Sequence, residues 1–157
     1  MSSKRSQILS ALKTKLLTIT TGNGYNSSVR KVSYGYIPIS KVSEYPTVCM
    51  IPLDGIFTPL TNSEYTSGAA RNTTDGWPIA IISYVQNSAG EEELSDSREN
   101  IIEDVAKCIL LDHNLALASF VHNAYYISCE GTLDLENSIA VITQIFSIKY
   151  DFDKSAP

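Results

Sequence analysis

No stretch of this 157-residue chain approaches the roughly 18 consecutive apolar residues of a membrane span, so a soluble protein is expected. Cysteine is scarce: Cys49, Cys108 and Cys129 lie far apart and are odd in number. That pattern suits reduced core thiols in a reducing compartment, and no disulfide framework. Basic residues are also in short supply. Twelve Lys and Arg stand against seventeen Asp and Glu, and a net charge of −5 speaks against sequence-independent binding of nucleic acid, which depends on neutralised phosphates. No Gly-x-Ser-x-Gly, His-Glu-x-x-His, Cys-x-x-Cys or Gly-Lys-Ser/Thr phosphate loop occurs, so the enzyme classes that carry these signatures lose their support. The N-terminal apolar stretch is broken by Ser10, Lys13, Thr14 and Lys15, which leaves no secretory core and points to cytoplasmic synthesis. The sequons at Asn26 and Asn72 then read as turn chemistry.

What is present fits one domain over residues 1–157, since 43% hydrophobic and 18% charged residues are ordinary for a globular chain of a size that can bury its own core. Ser2 or Ser3 can cap a first helix, with Ile8, Leu9, Leu12, Leu16 and Ile19 on one face and Gly22-Asn23-Gly24 as its end. Val29 to Tyr36 reads as a strand with Val32, Tyr34 and Tyr36 on one side. Thr47 to Leu53 reads as a second, with Pro46 tolerated at its start. Trp77 to Val85 is apolar on both faces and is expected as an internal strand.

After the turn at 88–93, Asp96 with Glu99 resembles a capping box, and Ile101, Ile102, Val105, Cys108 and Ile109 form the buried face of a second helix. Leu115 to Val121 is ambiguous between helical turn and loop. Tyr125 to Glu130 reads as a strand broken at Gly131, and Ile139 to Tyr150 as the last strand, apolar on both sides; residues 151–157 read as a frayed tail.

The order of elements predicts an α+β, two-layer fold: a mainly antiparallel sheet with two main helices packed on one face. Two helices each about 10 Å wide cover one face of a five-stranded sheet about 20 to 24 Å across, and no more. The other face of the third and fifth strands would then be an apolar patch, closed either by a second subunit or by the chain itself. The long polar stretch 54–76 is the candidate for the second role, through Phe57, Leu60 and Tyr65. With Arg71 these residues also make a partner-facing loop, because a connection that long inside a compact domain is usually functional.

Other constellations carry less. Gly22-Asn23-Gly24 follows a helix and lacks a third glycine, which suits a helix end better than a dinucleotide site. Cys108, His113, His122 and Cys129 are zinc-ligand types, but their spacing matches no finger or ribbon. Asp151 and Asp153 read as solvated carboxylates. Glu91, Glu92 and Glu93 either complement a helix N-terminus or form an acidic surface.

The layout resembles the tail terminator proteins of long-tailed bacteriophages over nearly the whole chain. The resemblance lies in the opening helix (Ile8-Leu9-Ser10-Ala11-Leu12), in Glu44-Tyr45-Pro46-Thr47-Val48 entering a strand, and in the Trp77 strand. It continues through Ile101-Ile102-Glu103-Asp104-Val105, Leu111-Asp112-His113-Asn114-Leu115 and Phe146-Ser147-Ile148-Lys149-Tyr150. It implies a noncatalytic virion subunit, without cofactor, metal or membrane partner, that is assembled in the host cytoplasm. Such subunits form a homo-hexameric ring at the head-proximal end of the tail tube, stop tube polymerisation and offer a docking surface to head-completion proteins. DNA passes through the lumen, and Glu91, Glu92 and Glu93 are the candidate residues for lining it. The 54–76 stretch and the triple-Glu turn stand outside the family pattern. Two alternatives remain: another head-tail joining or tail completion factor, and a small ligand-binding or enzymatic α+β domain.

Overall fold

A computed structural model describes residues 3–53, 65–67, 71–74, 76–112, 114–117 and 119–153. Helix α1 (Lys4–Leu16) starts where the Ser3 hydroxyl accepts the Ser6 N–H at 3.1 Å, and it buries Ile8, Leu12 and Leu16 along one face. It stops before Ile19, which is buried from the connection that follows. A 3-10 turn at Thr21–Asn23 is closed by Gly24 at φ +87°, a conformation that favours glycine.

Seven strands follow: β1 (Lys31–Tyr34), β2 (Thr47–Pro52), β3 (Tyr65–Ser67), β4 (Arg71–Thr74), β5 (Trp77–Gln86), β6 (Val121–Asp134) and β7 (Ile139–Asp153). β1 and β2 are parallel; every other pair is antiparallel. The order runs β1-β2-β5-β7, with β6 on the far side of β7. β4 pairs with the end of β7 just beyond β5, so that Arg71 faces Asp153 while Trp77 faces Ile148. The α+β reading is thus correct, with β5 and β7 internal as their two-sided apolar pattern requires.

Helix α2 (Glu91–Leu111) lies between β5 and β6 in sequence and packs across β5, β7 and β6, while α1 lies beside it over β1 and β2. Register places Ala140, Ile142, Gln144, Phe146, Ile148 and Tyr150 in one row of β7, all buried beneath the helices with Ile79, Ile81 and Val85 of β5. Ile101, Val105 and Ile109 of α2 close this core from above. The Gln144 side chain donates from the row to the Ile102 carbonyl at 3.0 Å, fixing helix to sheet. A second clamp holds the start of α1. The Arg5 guanidinium lies 4.5 Å over the Trp77 ring and donates to the Tyr150 hydroxyl at 2.9 Å, and Tyr150 meets Trp77 edge-on at 6.0 Å.

Several expectations are corrected. α2 begins at Glu91, not at the Asp96–Glu99 box: Gly90 is its N-cap without a side-chain bond, Glu91, Glu92 and Glu93 fill the first turn, and buried Leu94 anchors it. Gly131 does not break the strand, since β6 runs through it. The helix side of Gly131 is occupied by Arg98, whose Nε would lie 2.8 Å from an added Cβ. Val32 and Tyr34 share the helix side of β1, as expected, but Tyr34 is 51% exposed because β1 is a short edge strand; Tyr36 lies beyond the strand, past Gly35 at φ +80°, and is 63% exposed. The tail from residue 151 is ordered strand as far as Asp153, where β4 supplies its hydrogen bonds. Within the 54–76 stretch, β3 and β4 form a hairpin, so Tyr65 and Arg71 are strand residues; Phe57 and Leu60 lie outside the described residues.

The helix-free face also differs from the expected open patch. The crossover from β1 to β2, residues 35–46, runs over it: the Tyr84 hydroxyl donates to the Ile37 carbonyl at 2.7 Å. Tyr84 and Cys49 are buried there outside the main core, and burial pushes the pKa of both side chains up.

Two outcomes test this packing. Ile101→Ala should lower unfolding free energy by about 2 to 5 kcal/mol through the cavity it leaves, and Val105→Asp should prevent folding; a Val105→Asp protein with near-native melting would refute the helix register. Arg5→Ala should cost about 2 kcal/mol in urea denaturation, with Arg5→Lys recovering only part, because lysine cannot stack flat on Trp77 while donating to Tyr150.

Candidate functional site

The feature that sets this molecule apart is an unpaired edge. Along all 14 residues of β6 the hydrogen-bonded neighbour is β7 on one side, and among the described residues no strand lies on the other. The usual protections of an edge strand, proline and lysine, are missing from Val121–Asp134. Two irregularities interrupt its ladder, at Val121/Asn123 and at Tyr126/Ser128. The second leaves Ile127 without a partner on β7 and disturbs the in-out alternation, as a bulge does. As a result Tyr125, Tyr126 and Ile127 are exposed in succession, at 46%, 42% and 54%. Tyr126 rests edge-on against Phe146 with ring centres 5.4 Å apart, so the cluster stands on the core and is not a loose tip. Leu133 and Leu135 are also exposed, separately, at the β6–β7 turn. There the Asp134 carboxylate accepts from the backbone and side chain of Asn137, which holds its pKa below the usual range.

Most of the remaining polar groups make structural contacts, while Ser83 Oγ, Asp104 Oδ2 and Gln144 Oε1 are buried with no hydrogen-bond partner among the described residues. Asp104, buried on α2, accepts from the backbone N–H of Asn26 at 3.0 Å and from its side chain at 3.2 Å, tying the loop after α1 to the helix. His122 Nε2 lies 2.8 Å from the buried Asp151 carboxylate and links β6 to β7; Asp151 is therefore not the solvated tail residue expected. The Cys108 thiol donates to the Lys15 carbonyl at 3.1 Å, and burial pushes its pKa up. These groups do not converge with Cys129: among the described residues no three His, Cys, Asp or Glu side chains form a metal-binding group. His113 lies outside the described residues.

A cleft of about 530 Å³ opens between α1 and residues 112–117. Its charged residues, Lys15 and Asp112, are spent on each other at 3.2 Å, and the rest of its wall is hydroxyl, amide and aliphatic. Leu115 and Ala116 reach it at φ +55° and +58°, a fold-back supported by the Asn114 side chain accepting the Ala116 N–H. Among the described residues this wall presents no titratable side chain beyond that ion pair. Glu91, Glu92 and Glu93 are exposed on the first turn of α2, where the macrodipole favours them. No helix among the described residues is long and apolar enough to cross a membrane.

Thiol labelling checks the burial pattern. With a water-soluble disulfide reagent, Cys129 should react in the native protein while Cys49 and Cys108 react only on unfolding; rapid native labelling of Cys108 would contradict its seat beneath the end of α1. No protein-family model matches this chain, and no curated protein matches it significantly.

Proposed function

We propose that this chain is a structural virion protein of the tail terminator type, a subunit of a homo-hexameric ring at the head-proximal end of a phage tail tube. The observation that carries the self-assembling part of this reading is the β6 edge. A long strand edge with exposed Tyr125, Tyr126 and Ile127 and no proline or lysine is a template for another chain, and its burial is what an assembly subunit offers. The element order, with an opening amphipathic helix, a mainly antiparallel sheet and a second helix over its centre, agrees with the sequence resemblance. In this role the ring stops growth of the tube protein, docks head-completion protein on its other side and lets DNA through its lumen. The β3–β4 hairpin, with Tyr65 and Arg71 on its strands, is the element offered to the tube or to the adjacent subunit, and Glu91, Glu92 and Glu93 face the passage, where carboxylates repel phosphate. A tail completion factor would share the same edge and differ in which virion protein it meets.

Native mass measurement, with and without the tube protein of the same phage, tests this. A species of six 17.2 kDa chains that blocks tube elongation is the expected result, and a monomer in both conditions would refute it. For the lumen, Glu91→Lys/Glu92→Lys/Glu93→Lys should leave the fold intact and raise DNA retention at low salt, where screening is weak. Wild-type behaviour of that variant toward DNA would remove the carboxylates from the passage.

A further inference from the structure

Charge is unevenly distributed along this chain. Residues 1–53 hold seven of the twelve Lys and Arg but one of the seventeen Asp and Glu. The fold converts this into opposite ends of one sheet, because α1 sits over β1 and β2 whereas α2 sits over β5, β7 and β6. At one end, β1 has β2 as its single neighbour among the described residues. It begins with exposed Lys31, next to exposed Arg30, and Lys13 of α1 lies 5.1 Å over the ring of Tyr34. At the other end, β6 contains no Lys or Arg, and Glu130 on the strand and Glu136 in the following turn are exposed. Each end also presents aromatic surface: Tyr34 and Tyr36 beside β1, Tyr125 and Tyr126 on β6.

We propose that the β6 edge of one copy binds the β1 edge of a second copy, an acidic aromatic edge against a basic aromatic edge. The proposal rests on the self-assembling part of the reading above and names the surface that the neighbour supplies. Like edges forgo charge complementarity: β1 against β1 joins two basic edges carrying Arg30 and Lys31, and β6 against β6 joins two edges carrying Glu130, so neither contact gains an opposite charge. Unlike edges make the contact heterologous, so every subunit keeps one free edge of each kind until the chain of subunits closes by rotation. The four residues of β1 limit the shared ladder to a few rungs, and the tyrosines and Ile127 supply the rest of the contact.

Paired charge-reversal variants test it. Variant one carries Ile127→Lys and Glu130→Lys on β6; variant two carries Arg30→Glu and Lys31→Glu at β1. All four positions are exposed, and circular dichroism establishes that each protein is folded. Each variant alone should sediment as a monomer, and an equimolar mixture should form a heterodimer, because the intact β6 edge of variant two meets the intact β1 edge of variant one and the two altered edges stop further growth. If variant two assembles alone and variant one does not, the contact is β6 to β6 and the proposal fails. If both variants assemble alone, the contact lies elsewhere; the proposal fails and the assembly reading survives. Wild-type protein that stays monomeric overturns both. Should a variant misfold, the wild-type assembly supplies its own test: raising salt from about 50 mM to about 500 mM should loosen an interface held by opposite charges, and an assembly that tightens with salt overturns the proposal.

Discussion

Hydrogen bonding on both sides of β7 is the constraint on which this structure depends. β5 and β4 take one side of the strand and β6 takes the other, so fifteen residues are committed at once to three partners. That commitment sets the face of every side chain from Ile139 to Tyr150, and with it the row on which α2 rests. A one-residue slip would turn Ile142, Phe146 and Ile148 outward and Thr143, Ser147 and Lys149 inward, which the burial of six consecutive row positions forbids. The aromatic clamp of Arg5, Trp77 and Tyr150 secures α1 at the end of the same row.

The open edge is a consequence of that arrangement. Once β7 is satisfied by its neighbours, no strand among the described residues lies outside β6, and the parallel crossover sits at the opposite end, between β1 and β2. The same crossover closes the helix-free face over Cys49 and Tyr84. The apolar surface left exposed on the sheet stands at its two ends, at Tyr34 and Tyr36 beside β1 and at Tyr125, Tyr126 and Ile127 on β6. A subunit whose two ends differ in strand length, charge and orientation is suited to directional assembly, and that physical property joins the fold to the proposed ring.

How much of this was legible in the sequence depends on whether the cause was local. Ser3 as a cap, the Ile8-Leu12-Leu16 stripe, the buried face of α2 and the internal character of β5 follow from residues within one or two turns of each other, and they were readable. Glu91, Glu92 and Glu93 were read as a turn because charge runs usually are solvated; their fit to a helix N-terminus extends α2 by a full turn. Gly131 looked like a break because the reason for it, Arg98 on another element, is invisible along the chain. Val32, Tyr34 and Tyr36 read as one side of a strand, but periodicity does not say that the strand is a short edge, which leaves both tyrosines exposed. The β6 edge escapes the sequence for the same reason: Tyr125–Glu130 reads as strand, without Val121–Ala124 or Gly131–Asp134, and edge position is a property of strand order. The charge imbalance between residues 1–53 and the remainder was present in the sequence and is the signal that could have pointed to unlike ends.

Amide hydrogen exchange on the protein across a range of concentrations, from dilute monomer to assembly, tests the central claim most directly. Amides of Tyr125–Glu130 on the side of β6 away from β7 should exchange readily in the dilute protein and become protected on assembly, while those of the β5–β7 core are protected throughout. Assembly with no change in protection along β6 would contradict it.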